Sequence, residues 1–449
     1  MRKTFFLFLL LCSSVIVFSQ NGGERPEKKN KEKPSITLYK IISAKRDTTF
    51  LDTSLTIQRY YKFNYLRKDN FELQQFSNVG QSYNDLSYDF DNVNLKPLFL
   101  AQSHHFGYRE IEDMDYYNLP TPLTELYFKT AFKQGQQLDA FFSINTSKQF
   151  NFSIAYKGVR SLGAYQHSLT STGDFRFTTN YHTKNNRYNI LAHVMALDLI
   201  NQQNGGLTDE SVLLFESNNS EFRDRGRLEV NFQDAENELK GFRVYGKQEF
   251  ELITKKDSTD QNKLFIGNVM SFEDKSYVFK QDVPFDDYGE SYKTSDLYKK
   301  GKLEDFNIQG YTRFENNHIG SLSAFIGYTD YNYGYNSVII FDDGRIANRL
   351  KGNLVQAGAS YKKTYKGFEL FGKGAINISG DYDGNYLKAG ASYLIKNAHK
   401  ISAEIKTHTT APNFVFLLNQ SDYINYNWQN NFDNVKTQQL KVDFESDKI

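Results

Sequence analysis

Apolar and polar residues alternate with a period of two over most of the chain beyond about residue 120. In the segment 150–157 the even-numbered residues are Phe, Phe, Ile and Tyr, and in 175–182 the odd-numbered residues are Phe, Phe, Thr and Tyr. Successive side chains of a strand point to opposite faces, so each segment would have one apolar and one polar face. The same pattern recurs at 138–146, 188–196, 228–232, 306–314, 322–328, 368–378 and 401–407. Because no helical periodicity of comparable length competes with it, the sequence predicts an all-β fold.

Short polar connections alternate with longer ones between these segments. Short turns are predicted at 147–148, 183–187, 315–318, 363–366 and 396–399, and longer connections at 158–172, 198–226, 281–304, 330–352 and 408–437. This regularity is typical of an antiparallel up-and-down meander with tight turns on one side and loops on the other. A soluble β-sandwich is the alternative, although its Greek-key connections need not alternate in this way. We count about 16 strands, and the similarity of 355–361 to 387–393 indicates equivalent strands in successive hairpins.

The composition is hydrophilic on average but rich in aromatic residues. The mean hydropathy is −0.61, whereas 38 Phe and 31 Tyr raise the aromatic content to 16%. No apolar run reaches the roughly 20 residues of a transmembrane helix, and a net charge of +1 disfavours a nucleic-acid partner. A barrel in lipid has an apolar outer face and a polar lumen, which reconciles the low mean hydropathy with the high aromatic content. The predicted fold is therefore an antiparallel up-and-down transmembrane β-barrel with short periplasmic turns and long extracellular loops.

The first twenty residues predict a cleaved secretory signal peptide. A basic head with Arg2 and Lys3 precedes the apolar stretch 5–18, which is too short to cross about 30 Å of hydrocarbon as a helix. Cleavage would remove Cys12, the only cysteine, so the exported chain would have neither a disulfide nor a thiolate metal site. The predicted domains are the signal peptide at 1–20, a flexible charged leader at 21–35, an N-terminal periplasmic or plug-like segment at 36–120 and the β-barrel at 121–449.

The barrel prediction assigns charged residues of the polar faces to the lumen and aromatic residues near strand ends to girdles at the membrane surfaces. The candidate pore-lining residues are Lys157, Arg176, Arg227, Glu229, Arg313, Glu315, Glu369, Lys373, Lys388, Glu404 and Lys406. The candidate girdle residues are Phe150, Tyr156, Phe175, Tyr181, Tyr188, Tyr361 and Tyr393. Basic residues outnumber acidic ones in the first set, so a weak anion preference is predicted. The alternative is that these charges belong to solvated faces without a selective role.

No catalytic residue, metal ligand or cofactor is predicted. The adjacent His104 and His105 lack further ligands, and on a strand they would point to opposite faces. The stretch 381–385 resembles the start of a calcium loop, but its sixth position is Tyr386 instead of Gly and its twelfth is Ser392 instead of Glu. A plain turn is the preferred interpretation. Because no hydrolase elbow, zinc-protease or phosphate-loop motif occurs either, the sequence predicts that the protein is not an enzyme.

Several stretches carry a family resemblance. They are YYKFNYLRKDNF at 60–71, NVGQ at 78–81, PTPLTEL at 120–126, NTSKQF at 145–150, TSTGDFRF at 170–177, QSDY at 420–423 and YNWQN at 426–430. They resemble the putative porins of Bacteroidota, especially flavobacterial-type members, over nearly all of the chain beyond the signal peptide. The resemblance implies a cell outer-membrane porin that admits small hydrophilic solutes by passive diffusion. Its implied partners are outer-membrane lipid, those solutes and the barrel-assembly machinery, with no nucleic acid and with homo-oligomerisation left open.

Two other functions stay open at this stage. An exported glycan-binding or adhesive β protein would partition with soluble or peripheral fractions without detergent. An energised receptor-like outer-membrane transporter is less favoured, because the sequence offers no separately folded plug domain of ordinary size.

The resemblance also predicts a C-terminal truncation. Family members look longer, and such barrels usually finish on a strand ending in an aromatic residue, whereas this chain ends with 445–449, ESDKI. A closed 16-stranded barrel is the competing expectation, since an even strand number permits closure. An in-frame continuation of the encoding DNA past Ile449 would decide between them.

Overall fold

The protein is described from a computed structural model, which covers residues 34–446 apart from 55, 89–92, 132–134, 257–260, 342–343 and 396–397. The predicted signal peptide, and all but the last two residues of the predicted leader, lie outside the described residues. Within them, every helix is too short or too polar to cross a membrane.

The N-terminal segment, residues 36–120, contains only short elements. Its strands are β1 (Lys40–Ile42), β2 (Thr48–Phe50), β3 (Leu73–Gln75), β4 (Tyr83–Asp85) and β5 (Tyr116–Asn118), and its 3-10 helices are Ile36–Leu38, Ile57–Lys62, Gln102–Gly107 and Ile111–Asp113. β1 pairs antiparallel with both β2 and β5, and β3 pairs with β4. Elements of three residues cannot form a core of their own, so this segment depends on packing against the rest of the chain.

Residues 121–446 are dominated by β-strands. They are β6 (Leu123–Ala131), β7 (Gly135–Asn145), β8 (Phe150–Ser161), β9 (Thr170–His182), β10 (Tyr188–Gln203), β11 (Ala235–Lys256), β12 (Gln261–Gln281), β13 (Leu297–Asn316), β14 (Gly320–Gly334), β15 (Ile339–Phe341), β16 (Gly344–Ile346), β17 (Arg349–Tyr365), β18 (Phe368–Gly380), β19 (Asn385–Ile395), β20 (His399–Thr410), β21 (Leu418–Asn419), β22 (Trp428–Gln429) and β23 (Val435–Ser446). The helices are α1 (Asp209–Glu216) and α2 (Phe414–Leu417), with 3-10 turns at Ser220–Arg223, Arg225–Arg227, Asp286–Tyr288 and Ile424–Tyr426.

Fourteen of these strands form one large antiparallel sheet. Their order follows the chain from β6 to β14, then β17 to β20 and finally β23, while β15–β16 and β21–β22 form separate hairpins. The predicted meander is therefore confirmed, but the sheet has fourteen strands instead of about 16. One reason is that 228–232, predicted as a strand, lies in the connection between β10 and β11. Among the described residues, the outer edges of β6 and β23 pair with no other strand.

The connections lie on two sides of the sheet, as predicted. On the short-turn side are 146–149, 183–187, 317–319 and 366–367, and on the long-loop side are 204–234, 282–296, 335–348 and 411–434. The tightest turn, at 366–367, uses left-handed backbone at Lys366 (φ 47°) and Gly367 (φ 83°), as two-residue hairpins require. The connection 381–384 links β18 to β19 directly, and the Asp381 carboxylate accepts a hydrogen bond from the Asn353 backbone amide at 2.8 Å.

The two faces of the large sheet have the opposite polarity to those of a soluble sheet. We call the face that contacts the N-terminal segment the inner face and the other the outer face. On β8, Lys157 of the inner face is 4% exposed, whereas Ile154 of the outer face is 41% exposed and Tyr156 is 47% exposed. Soluble proteins usually bury the apolar residues and expose the lysines. The outer face is thus an apolar surface without cover in the described chain.

Candidate functional site

The N-terminal segment crosses the inner face of the sheet from β6 to β18. The Lys129 ammonium on β6 donates to the Phe63 carbonyl at 3.3 Å, and the Tyr65 hydroxyl donates to Thr172 on β9 at 3.1 Å. On the far side, the Asn377 amide on β18 donates to the Leu95 carbonyl at 2.9 Å. Because one short segment reaches strands so far apart in the order, the sheet must curve around it.

An ion-pair network joins this segment to the middle of the inner face. The Arg109 guanidinium lies 2.7 Å from the Asp174 carboxylate on β9. Arg243 on β11, only 1% exposed, donates to Glu273 on β12 at 2.9 Å and to the Arg109 carbonyl at 2.6 Å. The Glu110 carboxylate accepts from Lys275 at 3.1 Å. Buried charges are tolerated when they are paired and hydrogen-bonded. Here Arg109–Asp174 and Glu110–Lys275 join the segment to the sheet, whereas Arg243–Glu273 lies within the sheet.

Two tyrosines of the segment extend this network through their hydroxyl groups. The Tyr116 hydroxyl lies 2.7 Å from Nδ1 of His193 on β10, whose Nε2 accepts from Arg243 at 3.1 Å. The Tyr108 hydroxyl donates to Glu273 at 2.8 Å. Three separate N–H groups of Arg243 therefore have partners, one of them a backbone carbonyl of the segment.

The network keeps its segment residues in fixed protonation states. Burial raises the pKa of Tyr108 well above its ordinary value, and the neighbouring Glu273 carboxylate adds to the rise. Burial alone would lower the pKa of Arg109, but the Asp174 carboxylate, together with Asp139 and Asp113, more than offsets that effect, so the pKa is raised. Burial also raises the pKa of Asp115 in the same part of the segment. Tyr108 and Arg109 consequently act as hydrogen-bond donors throughout the physiological pH range.

Nine of the eleven candidate pore-lining residues belong to the inner face of the large sheet. They are Lys157, Arg176, Arg313, Glu315, Glu369, Lys373, Lys388, Glu404 and Lys406. The other two lie elsewhere, because 228–232 is not a strand of the sheet as the sequence predicted but part of the connection between β10 and β11. Arg227 is exposed there in a 3-10 turn, 3.0 Å from Glu221, and Glu229 is exposed beside it.

The nine inner-face charges fall into three groups. Arg313 and Glu315 on β13 pair with each other, and Arg313 also lies 2.7 Å from Glu249 on β11. Lys157 and Arg176 are engaged with the segment and its network: the Lys157 ammonium lies 3.9 Å from the centre of the Tyr65 ring, and Arg176 lies 3.4 Å from Asp174. The third group lies on β18 to β20, where Lys388 pairs with Glu404 at 2.7 Å and Lys373 is exposed on the inner face. Open inner surface therefore remains on that part of the sheet.

The candidate girdle residues form two rows on the outer face. Near the short-turn side are Phe150, Tyr181, Tyr188, Tyr361 and Tyr393. Phe150 is opposite Tyr181 in the register, and the rings of Tyr181 and Tyr188 are 6.4 Å apart. Tyr156 and Phe175 are also opposite each other, but they lie within β8 and β9 and not near strand ends as predicted. The six steps of the strand from Phe150 to Tyr156 span about 20 Å.

Sequence reasoning missed the residues that bind the segment to the sheet. The candidates did not include Arg243, Glu273 and Arg109. Arg243 did carry a local signal, because it is the inward polar residue between the outward Phe242 and Val244. Arg109 carried none, because its partner Asp174 is 65 positions away. His104 and His105 lie in a 3-10 helix and not on a strand.

A curved antiparallel meander with a polar inner face and an apolar outer face is the arrangement of outer-membrane transport barrels. A sequence model of the protein family described as "Putative porin" matches residues 35–449. The chain belongs to this putative porin family. No curated protein matches the chain.

Several solved outer-membrane receptors are similar in structure at low identity. The ferric-catecholate import receptor Fiu from E. coli, in its closed form, is 8% identical, with 73% of this chain and 56% of that chain covered and a TM-score of 0.47. The ferric enterobactin receptor PfeA from Pseudomonas aeruginosa, in complex with enterobactin, is 10% identical, with 67% and 45% covered and a TM-score of 0.44. FpvAI, in its complex with pyocin S2, is 8% identical, with 74% and 46% covered and a TM-score of 0.49. The chain spans about half the length of these receptors.

Proposed function

We propose that the protein is an outer-membrane porin through which small hydrophilic solutes diffuse passively. The observation that carries the proposal is the reversed polarity of the large sheet, whose outer face is apolar and whose inner face holds buried and half-buried charges. Such a sheet is stable where lipid covers the outside and water or polar groups fill the inside. Export would use the signal peptide at 1–20, and insertion would use the barrel-assembly machinery.

The solute route in this proposal follows the inner surface of β18 to β20. Glu369, Lys373, Lys388, Glu404 and the buried Lys406 belong to that surface, and these charges comprise three basic and two acidic groups. A weak preference for anions is therefore expected.

The N-terminal segment 36–120 acts, in this proposal, as a plug-like element inside the membrane domain 121–449. Its ion pairs and hydrogen bonds to β9, β11 and β12 support this role over a free periplasmic domain. A porin with such a segment would conduct less than one of the same strand number without it.

Conductance in planar lipid bilayers tests the proposal. The purified wild-type chain should give discrete current steps, and a variant with weakened segment contacts, Arg109→Gln, should give larger or more frequent steps. Both preparations should also require detergent for extraction, which an exported adhesive protein would not. Bilayers that stay sealed with both preparations would contradict passive diffusion.

A second candidate is an energised receptor-like transporter, and the buried ion pairs of the segment favour it. Pairs such as Arg109–Asp174 are costly to break, so opening could require work supplied from outside the chain. In that case planar bilayers would stay sealed, whereas cells with an energised envelope would take up solute and de-energised cells would not.

A further inference from the structure

The long connection 411–434 folds onto the inner face of the sheet at its long-loop side. Its α2 helix places Phe414 at 0% exposure, and the adjoining Leu418 and Asn419 are also buried. The largest apolar cluster of the described chain combines three parts: Phe414 and Leu418 of this connection, Phe99 of the N-terminal segment, and residues of β10 to β17. The connection and the segment thus share one core.

Aromatic contacts join the connection directly to the segment. The rings of Phe414 and Tyr333 on β14 are stacked, with centroids 4.6 Å apart and planes 11° apart. The Phe99 ring meets the same Tyr333 edge-on at 6.1 Å. The Phe414 amide donates to the Leu98 carbonyl at 3.0 Å. Aromatic pairs of this kind stabilise packing beyond their buried area, so Phe414 holds the 98–99 stretch against β14.

A polar anchor fixes the same connection to the sheet. The Asn419 side-chain oxygen accepts from the Lys299 ammonium on β13 at 2.7 Å and from the Tyr335 hydroxyl at 3.0 Å. Its amide nitrogen donates to the Tyr426 carbonyl at 2.6 Å, within the connection itself. Loss of Asn419 would leave a buried ammonium short of an acceptor, which is unfavourable.

We propose that the connection 411–434 is a latch that holds the N-terminal segment in the lumen from the long-loop side. Phe416 is 53% exposed on the same short helix that buries Phe414, so the latch has one surface toward solvent and one toward the segment. Displacement of the latch by contact from the long-loop side removes the Phe414 contacts and loosens the segment. The inference rests on the proposed function, in which that segment restricts the lumen.

Thiol labelling of the segment tests the latch without reference to transport. Met114 of the segment is buried, and the only natural cysteine, Cys12, lies in the signal peptide that export would remove, so Met114→Cys supplies one reporter thiol. Folded protein, verified by its heat-modifiable mobility on gels, is reconstituted in vesicles and exposed to a membrane-impermeant maleimide. Phe414→Ala should accelerate labelling by about 100-fold, since a large buried aromatic side chain is removed. Phe416→Ala is the matched control, because Phe416 lies on the same four-residue helix α2. This variant should be labelled at the parent rate.

Asn419→Leu provides a second route to the same result, because it removes the polar anchor and leaves Phe414 in place. Equal labelling rates for the parent, Phe414→Ala and Asn419→Leu in folded protein would overturn the latch, as would equal acceleration by Phe416→Ala. Conductance measured on the same preparations separates this outcome from the proposed function. Fast labelling of both latch variants without current would support the latch and contradict the passive porin. Current with unchanged labelling would support the passive porin and contradict the latch.

Discussion

Arg109 of the N-terminal segment and Asp174 of β9 form an ion pair with 2.7 Å between Nε and Oδ2. Asp174 is almost fully buried, and Arg176 approaches the same carboxylate at 3.4 Å. One carboxylate is thus shared by a guanidinium from the segment and another from its own strand, and Arg176 also lies 3.5 Å from Asp139. Any change that removes the charge of Asp174 takes the carboxylate away from Arg109 and leaves two arginines near one remaining carboxylate in a site with little water.

Asp174→Asn should therefore destabilise the folded protein strongly. Breaking a buried pair on one side costs about 3–5 kcal/mol, because the remaining charge is uncompensated. Glu221→Gln is the matched control, since it removes the carboxylate of the exposed Arg227–Glu221 pair and should change stability by less than about 1 kcal/mol. Urea titration of the reconstituted protein measures both, and equal effects would contradict the assigned role of Asp174.

The segment should loosen as the pH falls, owing to His105. Burial lowers the pKa of His105 to about 3, and the nearby Lys275 ammonium contributes to the lowering. An unfolded histidine takes up its proton near pH 6.5, so the contribution of neutral His105 to stability is complete above that pH and is lost as the pH falls toward 3. His105→Asn should flatten this part of the pH dependence, and the exposed His318→Asn should not. Identical pH profiles of unfolding for the two variants would contradict the role assigned to His105.

Arginine on the outer face should impair insertion in a depth-dependent way. Ile154 lies between the two aromatic rows of β8, so Ile154→Arg should cost about 2–4 kcal/mol on the proposed membrane placement. Leu162, also exposed but just beyond the end of β8, is the matched site, and Leu162→Arg should cost about 0–1 kcal/mol. Folding titrations in lipid vesicles give both values. A soluble adhesive protein would show no such difference.

Charge reversal on β18 should alter ion preference. Lys373→Glu replaces an exposed cation of the inner face, so the reversal potential in a salt gradient should move toward cation selectivity. Lys240→Glu makes the same change on the outer face of β11 and should leave the reversal potential unaltered. Equal shifts in the two variants would indicate that solutes do not pass along β18 to β20.

The local pattern of the sequence predicted much of the sheet. The alternation in 150–157 and 175–182 correctly separated the two faces of β8 and β9, and a polar stretch marked the turn at 183–187. The turn predicted at 363–366 lies at 366–367, because β17 continues to Tyr365. Such features depend on neighbours within a few residues, which periodicity records directly.

Other features depend on distant residues, and the sequence could not place them. Leu228 and Val230 are buried, and Val230 forms an isolated bridge to Leu207, which accounts for the alternation in 228–232. The pattern of a strand therefore occurs in a loop. The elements of the N-terminal segment are too short for a period to show, and their stabilising contacts, such as Tyr116 with His193, join residues far apart in the chain.

On the proposed membrane placement, the paired residues Phe150–Tyr181 and Tyr156–Phe175 would also determine which bilayers suit the protein. A strand inclined to the membrane normal has a hydrophobic height smaller than its length, so a band of about 20 Å along β8 corresponds to a thin hydrocarbon layer. Thick bilayers would impose hydrophobic mismatch and would have to compress around these rings. On that placement, the distance between the two aromatic pairs would match the protein to lipids with short acyl chains, and so to a membrane that is thinner than average.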